Sequence, residues 1–266
     1  MKIWAVANQK GGVGKTTTAI SLAGHLVKQE ARVLLVDMDP HGSMTSYFGY
    51  DPDSLETSIY QLFQGEGVKP GISPESLLLD TTVAGIQLLP ASTALATLDR
   101  QLGSKEGKGL VMSFSLKQLE HKFDYVLIDC PPLLGILMVN ALAACEQLIM
   151  PVQTEYLAIK GLERMMTTLS MIIKARKDSL RFTIVPTMFD RRTRAAIDSL
   201  RSLRDTYQDD VWNSVIPVDT KFREASQNGK PLPQYLASSR GAKAYEALTH
   251  YLIEDRVQPH LKLVQP

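Results

Sequence analysis

The chain has 266 residues, of which 44% are hydrophobic and 21% are charged, and its 29 Lys and Arg side chains nearly balance 28 Asp and Glu side chains. This composition is typical of a globular protein, and the small net charge excludes a chain-wide positive field for binding nucleic acid. The two cysteines, Cys130 and Cys145, are too few for a disulfide framework and lack nearby histidines for a zinc site, so we expect a cytoplasmic protein.

Short apolar runs, typical of buried strands, alternate with stretches of helical periodicity. Residues 2–7 predict a strand, residues 15–29 a helix, and residues 32–36 a second strand that completes a β-α-β unit. Further strands are predicted at 86–89, 125–128, 148–150, 183–185 and 211–216, and helices at 155–174, 194–207 and 242–253. The pattern predicts an α/β fold with a doubly wound, mostly parallel sheet flanked by helices, in one domain over residues 1–266. The irregular segment 65–82 is interpreted as a surface insertion.

A glycine-rich loop lies between the first predicted strand and the first predicted helix. Its sequence is Gln9-Lys10-Gly11-Gly12-Val13-Gly14-Lys15-Thr16-Thr17. The glycines let consecutive backbone N–H groups turn inward around an anion, and the start of the helix adds a partial positive charge. Lys15 is placed to neutralise the β- and γ-phosphates of a nucleotide, and the Thr16 hydroxyl is placed to bind Mg²⁺. An ordinary glycine-rich turn has no need of the Gly-Lys-Thr ending, so we interpret the segment as a phosphate-binding loop.

The loop departs from the ordinary P-loop pattern in one useful way. Gln9 stands where that pattern has glycine, and Lys10 precedes Lys15 by five residues. The sequence K-G-G-x-G-K-T-T resembles the deviant Walker A motif of the ParA/MinD family of ATPases. The resemblance implies ATP and Mg²⁺ as ligands and a homodimer in the ATP-bound state, in which Lys10 reaches the partner's phosphates much as an arginine finger does. The alternative for Lys10 is a solvated lysine that only raises the local potential.

Two carboxylates follow the second predicted strand. Asp37 and Asp39 should face the nucleotide, because ligands of open α/β sheets bind at the carboxyl ends of the strands. The segment resembles the family's D-x-D-P-Q-G-N switch, which implies that Asp39 activates the attacking water and that Asp37 organises the loop or an outer-shell Mg²⁺ water. His41 and Ser43 depart from that pattern. Two ordinary turn aspartates remain the alternative. The predicted catalytic residues are Lys10, Lys15 and Asp39.

Two later segments complete the predicted nucleotide site. The apolar run 124–129 ends in Asp129, as in a Walker B strand, so Asp129 is expected to hold Mg²⁺ through its water shell. Segment 216–219 resembles the family's I-P-x-x segment near the adenine, which makes Pro217 and Asp219 candidates for the base pocket, with an ordinary turn as the alternative.

The ends of the chain and its charge distribution bear on partners. The C-terminal residues contain two prolines instead of a basic amphipathic helix, and nothing resembling a helix-turn-helix precedes the loop, so we expect neither membrane insertion nor operator binding. Residues 1–150 carry a net charge of −4 and residues 151–266 one of +5. In ParA-like proteins, basic residues on the C-terminal side contact DNA phosphates without sequence preference. The corresponding candidates are Arg191, Arg194, Lys221, Arg223 and Arg240, each of which is alternatively a solvated surface charge.

The segments 39–49, 89–101, 131–144 and 185–193 resemble ParA-like ATPases of chemotaxis gene clusters. This implies a switch that positions chemoreceptor arrays with an array-linked partner, concentrated at the cell pole. The alternative is chromosome or plasmid partition with a ParB-like partner on the nucleoid. A metabolic enzyme with the same loop is a third possibility, but the cysteine spacing does not match an iron–sulfur protein and no substrate carboxylate site can be found.

Overall fold

The computed structural model describes residues 1–102, 107–175 and 180–254. Within them, seven strands form one sheet. They are β1 (Lys2–Val6), β2 (Val33–Asp37), β3 (Leu79–Asp80), β4 (Ile86–Leu89), β5 (Tyr125–Asp129), β6 (Gln147–Gln153) and β7 (Arg181–Thr187). The strand order is β3-β4-β2-β5-β1-β6-β7, and every pair is parallel except β3 with β4. The predicted doubly wound, mostly parallel sheet is confirmed.

Helices connect and cover the strands. The α-helices in the described ranges are α1 (Lys15–Lys28), α2 (Ser43–Tyr47), α3 (Leu98–Leu102), α4 (Val111–Gln118), α5 (Ile136–Ala144), α6 (Tyr156–Ala175), α7 (Arg194–Tyr207), α8 (Lys221–Gln227), α9 (Leu232–Tyr235) and α10 (Arg240–Glu254). Short 3₁₀ helices occupy Ile59–Gln64, Pro74–Leu77, Thr93–Thr97, Lys108–Leu110 and Gln208–Asp210. The predicted helices at 15–29, 155–174, 194–207 and 242–253 are confirmed to within two residues at each end.

Both faces of the sheet are buried, which is why its strands read as continuous apolar runs. Successive residues of one strand point to opposite faces: Leu34 belongs to the apolar cluster beneath α4, α5 and α6, whereas Leu35 belongs to the cluster beneath α1 and α10. Because β1 and β5 lie in the middle of the sheet, their carboxyl ends are surrounded by the loops of neighbouring strands. This edge of the sheet holds the candidate site.

One predicted strand is wrong. Residues 211–216 run beside β7 but make only an isolated bridge between Val211 and Ile184. Trp212 N–H donates to the Ile184 carbonyl and Ile216 N–H donates to the Pro186 carbonyl, yet a bend at residues 213–214 separates these contacts. Val211, Trp212 and Ile216 are buried, so the segment has the apolar residues of a buried strand without the regular hydrogen bonds of one.

Other elements were missed because their patterns are local or ambiguous. The segment 65–82, interpreted as an insertion, contributes the antiparallel edge strand β3, which pairs with β4 through only two residues. Helix α5 is apolar on every side, so its sequence shows no helical periodicity, and its length alone could not distinguish a buried helix from a strand.

A close helix contact generates the first prediction. A Cβ atom added at Gly24 in α1 would lie 2.7 Å from Cβ of Pro231 and 2.6 Å from Oε1 of Gln234. Replacing Gly24 by alanine should therefore lower the free energy of unfolding by about 1–3 kcal/mol, despite the better helix propensity of alanine, because such overpacking forces neighbouring backbone to move. Urea unfolding followed by circular dichroism measures the change.

Gly161 in α6 provides the matched control. A Cβ atom added at Gly161 would have no atom within 4 Å beyond its own helix turn and chain neighbours. Gly161→Ala should raise the free energy of unfolding by roughly 0.5–1 kcal/mol, because alanine costs less backbone entropy in a helix. Equal stabilisation by both substitutions would contradict the close contact between α1 and the segment that begins α9.

Candidate functional site

The glycine loop joins β1 to α1 in the manner expected of an anion nest. Gly12 and Gly14 have φ values of +75° and +92°, a left-handed conformation that side chains rarely adopt. Gly14 is the residue before the first turn of α1, where no side chain caps the backbone N–H groups. These N–H groups therefore remain available to an anion at the positive end of the helix dipole.

Two polar residues that sequence analysis did not select hold this loop in place. The Asn8 side-chain amide donates to the Pro151 carbonyl at 2.7 Å, and its oxygen accepts the Lys10 N–H at 2.9 Å. The Thr187 hydroxyl donates to the Val13 carbonyl at 2.9 Å. Both side chains are buried and tie the loop to the ends of β6 and β7. The only local signal for them was a polar residue at the end of an apolar strand.

The two lysines of the loop have different surroundings. Lys15 is only 7% exposed, and its Nζ donates to the Lys10 carbonyl at 3.3 Å, across the loop. The Lys10 side chain is 29% exposed, and its ammonium forms an ion pair with Glu155, just before α6. Lys15 is thus directed into the nest, whereas Lys10 lies at its rim. Glu155 was not selected from the sequence, because its distance of 145 residues gives no local signal.

Two buried carboxylates lie next to each other below the loop. Asp37 and Asp129 end the adjacent strands β2 and β5 and are paired in register. Asp37 Oδ2 accepts hydrogen bonds from the Thr45 N–H and hydroxyl, both at 2.8 Å, and Oδ1 accepts the Asp39 N–H at 3.2 Å. Asp129 Oδ2 accepts the Thr16 hydroxyl at 2.5 Å. Asp37 therefore organises the segment that contains Asp39, and Asp129 orients Thr16.

Burial changes the acidity of both groups. Loss of solvent raises the pKa of Asp37 to about 6, against the opposing hydrogen bonds from Thr45. Burial, and then the charge of Asp37, raises the pKa of Asp129 above its ordinary value. Two adjacent carboxylates out of water repel each other when both are ionised, so a cation beside them would stabilise the ionised pair.

The residues present fit a magnesium ion that is held largely through water and phosphate. In the described part of the chain, Asp129 Oδ1 is buried and has no hydrogen-bond partner, which leaves a strong acceptor for a metal-bound water. The described residues contain no group of three or more His, Cys, Asp or Glu side chains suited to a metal. A site that offers the Thr16 hydroxyl and few other protein ligands suits Mg²⁺, because this ion keeps several of its waters and also binds substrate phosphates.

Asp39 follows these buried groups but is closer to solvent. Its side chain is 15% exposed, and its Oδ1 accepts a hydrogen bond from the His41 backbone at 3.1 Å and lies 2.8 Å from His41 Nδ1. The loop that carries Asp39 is anchored from the other side by Thr45, whose hydroxyl also accepts the Ala91 N–H at 3.0 Å. Asp39 is thus the accessible carboxylate of the site.

The predicted base-pocket residues lie in the segment that runs beside the end of β7. Pro217 forms an isolated bridge with Phe189 and is half-buried. Asp219 Oδ1 accepts the Lys221 N–H at 3.0 Å, and Oδ2 accepts the Gly241 N–H at 2.9 Å. The two oxygens of Asp219 therefore connect the start of α8 to the start of α10. Contact of either residue with a base stays a prediction.

The predicted DNA contacts are exposed to different extents. Arg191, Arg223 and Arg240 are exposed. The Arg194 side chain is 94% exposed but lies 3.5 Å from Asp198, and Lys221 pairs with Glu224 at 2.7 Å. An additional arginine in the same region, Arg192, is 82% exposed and hydrogen-bonds Asp190, lowering the pKa of that carboxyl to about 2.

Every helix in the described ranges is too short or too polar to span a bilayer.

A glycine nest at the start of a helix, a buried lysine and a carboxylate ending a neighbouring parallel strand together define a P-loop nucleotide-binding protein. Comparison with known proteins agrees. Residues 1–182 match the AAA_31 family, described as an AAA domain. The sporulation initiation inhibitor protein Soj of Bacillus subtilis is 35% identical over 92% of this chain and 95% of its own length.

Two further relatives extend over nearly the whole chain. The chromosome partitioning protein ParA of Myxococcus xanthus is 35% identical over 95% of this chain and 88% of its own length. A solved structure of cobyrinic acid a,c-diamide synthase from Mycobacterium smegmatis, with bound ATP analogue and magnesium, is 35% identical with a TM-score of 0.82 and covers 96% of this chain and 95% of its own. The chain belongs to the ParA/MinD family of P-loop ATPases and is Soj- and ParA-like.

The raised pKa of Asp37 gives a prediction about pH. Between the ordinary carboxyl value of 3.8 and about 6, the folded protein binds more protons at this position than the unfolded chain does. The contribution of Asp37 to stability should therefore fall as pH rises through this range. Urea unfolding at several pH values between 4 and 7 should show that Asp37→Asn loses less stability with rising pH than the unsubstituted protein does. Parallel profiles would contradict the buried, protonated state.

Proposed function

We propose that the chain is an ATP-dependent molecular switch that dimerises with bound ATP and Mg²⁺ and positions or segregates a large intracellular cargo. One observation carries this proposal: of the two loop lysines, Lys15 is directed into the phosphate nest and Lys10 lies at its rim. A nucleotide bound to one chain needs Lys15, and Lys10 can contact a phosphate that is bound to another subunit. Relatives named Soj and ParA support a partition or positioning role.

The binding step follows from the charges of the site. The backbone N–H groups of the loop and the Lys15 ammonium neutralise the negative triphosphate, and Thr16 and Asp129 present oxygen ligands on the side of the buried carboxylates. Mg²⁺, when bound, neutralises charge that develops on the phosphates during hydrolysis. Its positive charge also favours the ionised forms of Asp37 and Asp129, whose pKa values burial raises.

The dimerisation step uses the rim of the same site. Lys10 forms its ion pair with Glu155 within one chain, so engagement of a partner's phosphates requires Lys10 to exchange this carboxylate for them. Large apolar side chains are exposed after β5 and β6, the strands on either side of β1: Leu133, in the loop after β5, is 72% exposed, and Tyr156 and Leu157, at the start of α6, are 68% and 69% exposed. Apolar area beside the lysine would be buried by a second copy of this chain.

Hydrolysis then resets the switch. Asp39 is the carboxylate of the site that water can reach, so it acts as the residue that orients or deprotonates the attacking water. Loss of the γ-phosphate removes the charge that Lys10 contacts, which favours separation of the subunits. Hydrolysis is expected to be slow until a protein partner stimulates it.

Substitution of Lys15 and substitution of Lys10 should affect different properties, ATP affinity in the first case and ATP-dependent dimerisation in the second. Lys15→Ala should weaken ATP binding at least 100-fold, because it removes a buried charge that faces the phosphates. Lys10→Ala should leave the dissociation constant of ATP within about threefold, because Lys10 is at the rim, but should prevent ATP-dependent dimerisation. Fluorescent-nucleotide titration measures the first quantity, and size-exclusion chromatography with light scattering measures the second.

Lys69→Ala is the control for loss of one positive side chain, since this residue is exposed on a loop and takes no part in the site contacts described above. It should bind ATP and dimerise normally. Normal ATP-dependent dimerisation of the Lys10→Ala protein would refute the role of Lys10 across the subunits, and unchanged ATP affinity of Lys15→Ala would refute the nucleotide site itself.

The cargo has two candidates. Resemblance of four segments to ParA-like ATPases of chemotaxis gene clusters favours chemoreceptor arrays with an array-linked partner at the cell pole. The names of the Soj and ParA relatives favour chromosome or plasmid partition with a ParB-like partner on the nucleoid. Non-specific DNA as a matrix is compatible with either cargo and would use the exposed Arg191, Arg223 and Arg240.

Localisation in cells distinguishes the cargoes. Deletion of the gene should scatter fluorescently marked chemoreceptor arrays while marked replication origins segregate normally if arrays are the cargo, and the reverse result indicates partition. Lys15→Ala should reproduce the deletion, because the switch cannot bind ATP. Normal positions of both markers, together with ATP-dependent amidation of a corrinoid acid by the purified protein, would instead favour the activity for which the Mycobacterium smegmatis relative is named.

A further inference from the structure

We propose that His41 is a positioning residue for ATP hydrolysis: its imidazole fixes the carboxylate of Asp39 and determines which oxygen of that carboxylate meets the attacking water. The inference rests on the proposed function, in which Asp39 acts on that water. His41 Nδ1 lies 2.8 Å from Asp39 Oδ1, and the His41 backbone N–H donates to the same oxygen at 3.1 Å.

The direction of the ring hydrogen bond follows from the chemistry of the two groups. An ionised carboxylate only accepts, so Nδ1 must carry the hydrogen and donate it to Oδ1. This requirement selects one tautomer of the neutral ring, and the protonated ring satisfies it as well. A hydrogen bond to a charged acceptor is stronger than one between neutral groups, which gives the ring enough influence to favour one carboxylate orientation.

The arrangement makes the two oxygens of Asp39 unequal. Oδ1 receives both donors of His41, whereas no hydrogen bond reaches Oδ2 from the residues that the structure describes. The Asp39 N–H is itself held by Asp37 Oδ1 at 3.2 Å, so the backbone is fixed on the side of the buried carboxylates. With its backbone and one oxygen held, Asp39 presents Oδ2 as the oxygen that can accept a proton or orient a water.

Exposure argues against a purely structural role for the ring. The His41 side chain is 79% exposed, whereas the Asp39 side chain is 15% exposed. A ring with so little packing contributes little to folding, and an exposed ion pair is typically worth less than about 1 kcal/mol of stability. Among the described residues, the hydrogen-bond partner of the imidazole is Asp39, the residue proposed to act on the attacking water.

The experiment compares three variants in single-turnover and steady-state ATP hydrolysis. His41→Leu removes the ring donor but keeps the backbone N–H, and it should lower kcat about tenfold, or ~1.4 kcal/mol of activation free energy, with KM for ATP within about twofold. His41→Gln keeps a side-chain donor and should retain kcat within about threefold. His121→Leu makes the same substitution at an exposed histidine away from the site and should behave like the unsubstituted protein.

The outcomes separate this inference from the function on which it rests. If Asp39→Ala abolishes hydrolysis but His41→Leu keeps full kcat, or raises KM alone, the positioning role is wrong and the proposed function stands. If the unsubstituted protein does not hydrolyse ATP, or Asp39→Ala hydrolyses it normally, the proposed function fails and the inference fails with it. Thermal melting and nucleotide titration of each variant show that folding and ATP binding are intact.

Discussion

Two carboxylates that end adjacent parallel strands are buried side by side, and the rest of the site depends on them. Asp37 and Asp129 are in register, and burial raises the pKa of each. Their hydrogen bonds extend in different directions: Asp129 orients the Thr16 hydroxyl, and Asp37 anchors the segment that carries Asp39. A cation near this pair would therefore lie between the phosphate loop and the segment that carries Asp39, both of which are hydrogen-bonded to these carboxylates.

The same segment connects the nucleotide site to more distant parts of the chain. Beyond Asp39 it continues into α2, where the Tyr47 hydroxyl donates to the Lys230 carbonyl at 2.9 Å. Lys230 immediately precedes the segment that packs against Gly24 of α1, and Asp219 ties the start of α8 to the start of α10. These contacts connect the Asp39 segment with the C-terminal region that carries the candidate DNA-binding arginines.

The chain shares its fold with the ParA/MinD family, whereas some contacts of its site are its own. The relatives place the chain among Soj- and ParA-like ATPases, and such a fold serves many purposes. The ion pair of Lys10 with Glu155 and the hydrogen bond of His41 to Asp39 are instead features of this chain's own structure, and the roles proposed for Lys10 and His41 depend on them. Cargo is a property of surfaces and partners that the nucleotide site does not specify.

The sequence by itself determined the phosphate loop, most strands and the longer amphipathic helices, because their signals are contiguous: a nest of glycines beside a lysine, short apolar runs and helical periodicity. It did not determine the bend within residues 211–216 or helix α5, whose apolar patterns suit more than one structure. Only the tertiary structure brought Glu155 to Lys10, Thr187 to Val13 and Asp129 to Thr16 across more than 100 residues. Such contacts depend on strand order and register, which no short stretch of sequence encodes.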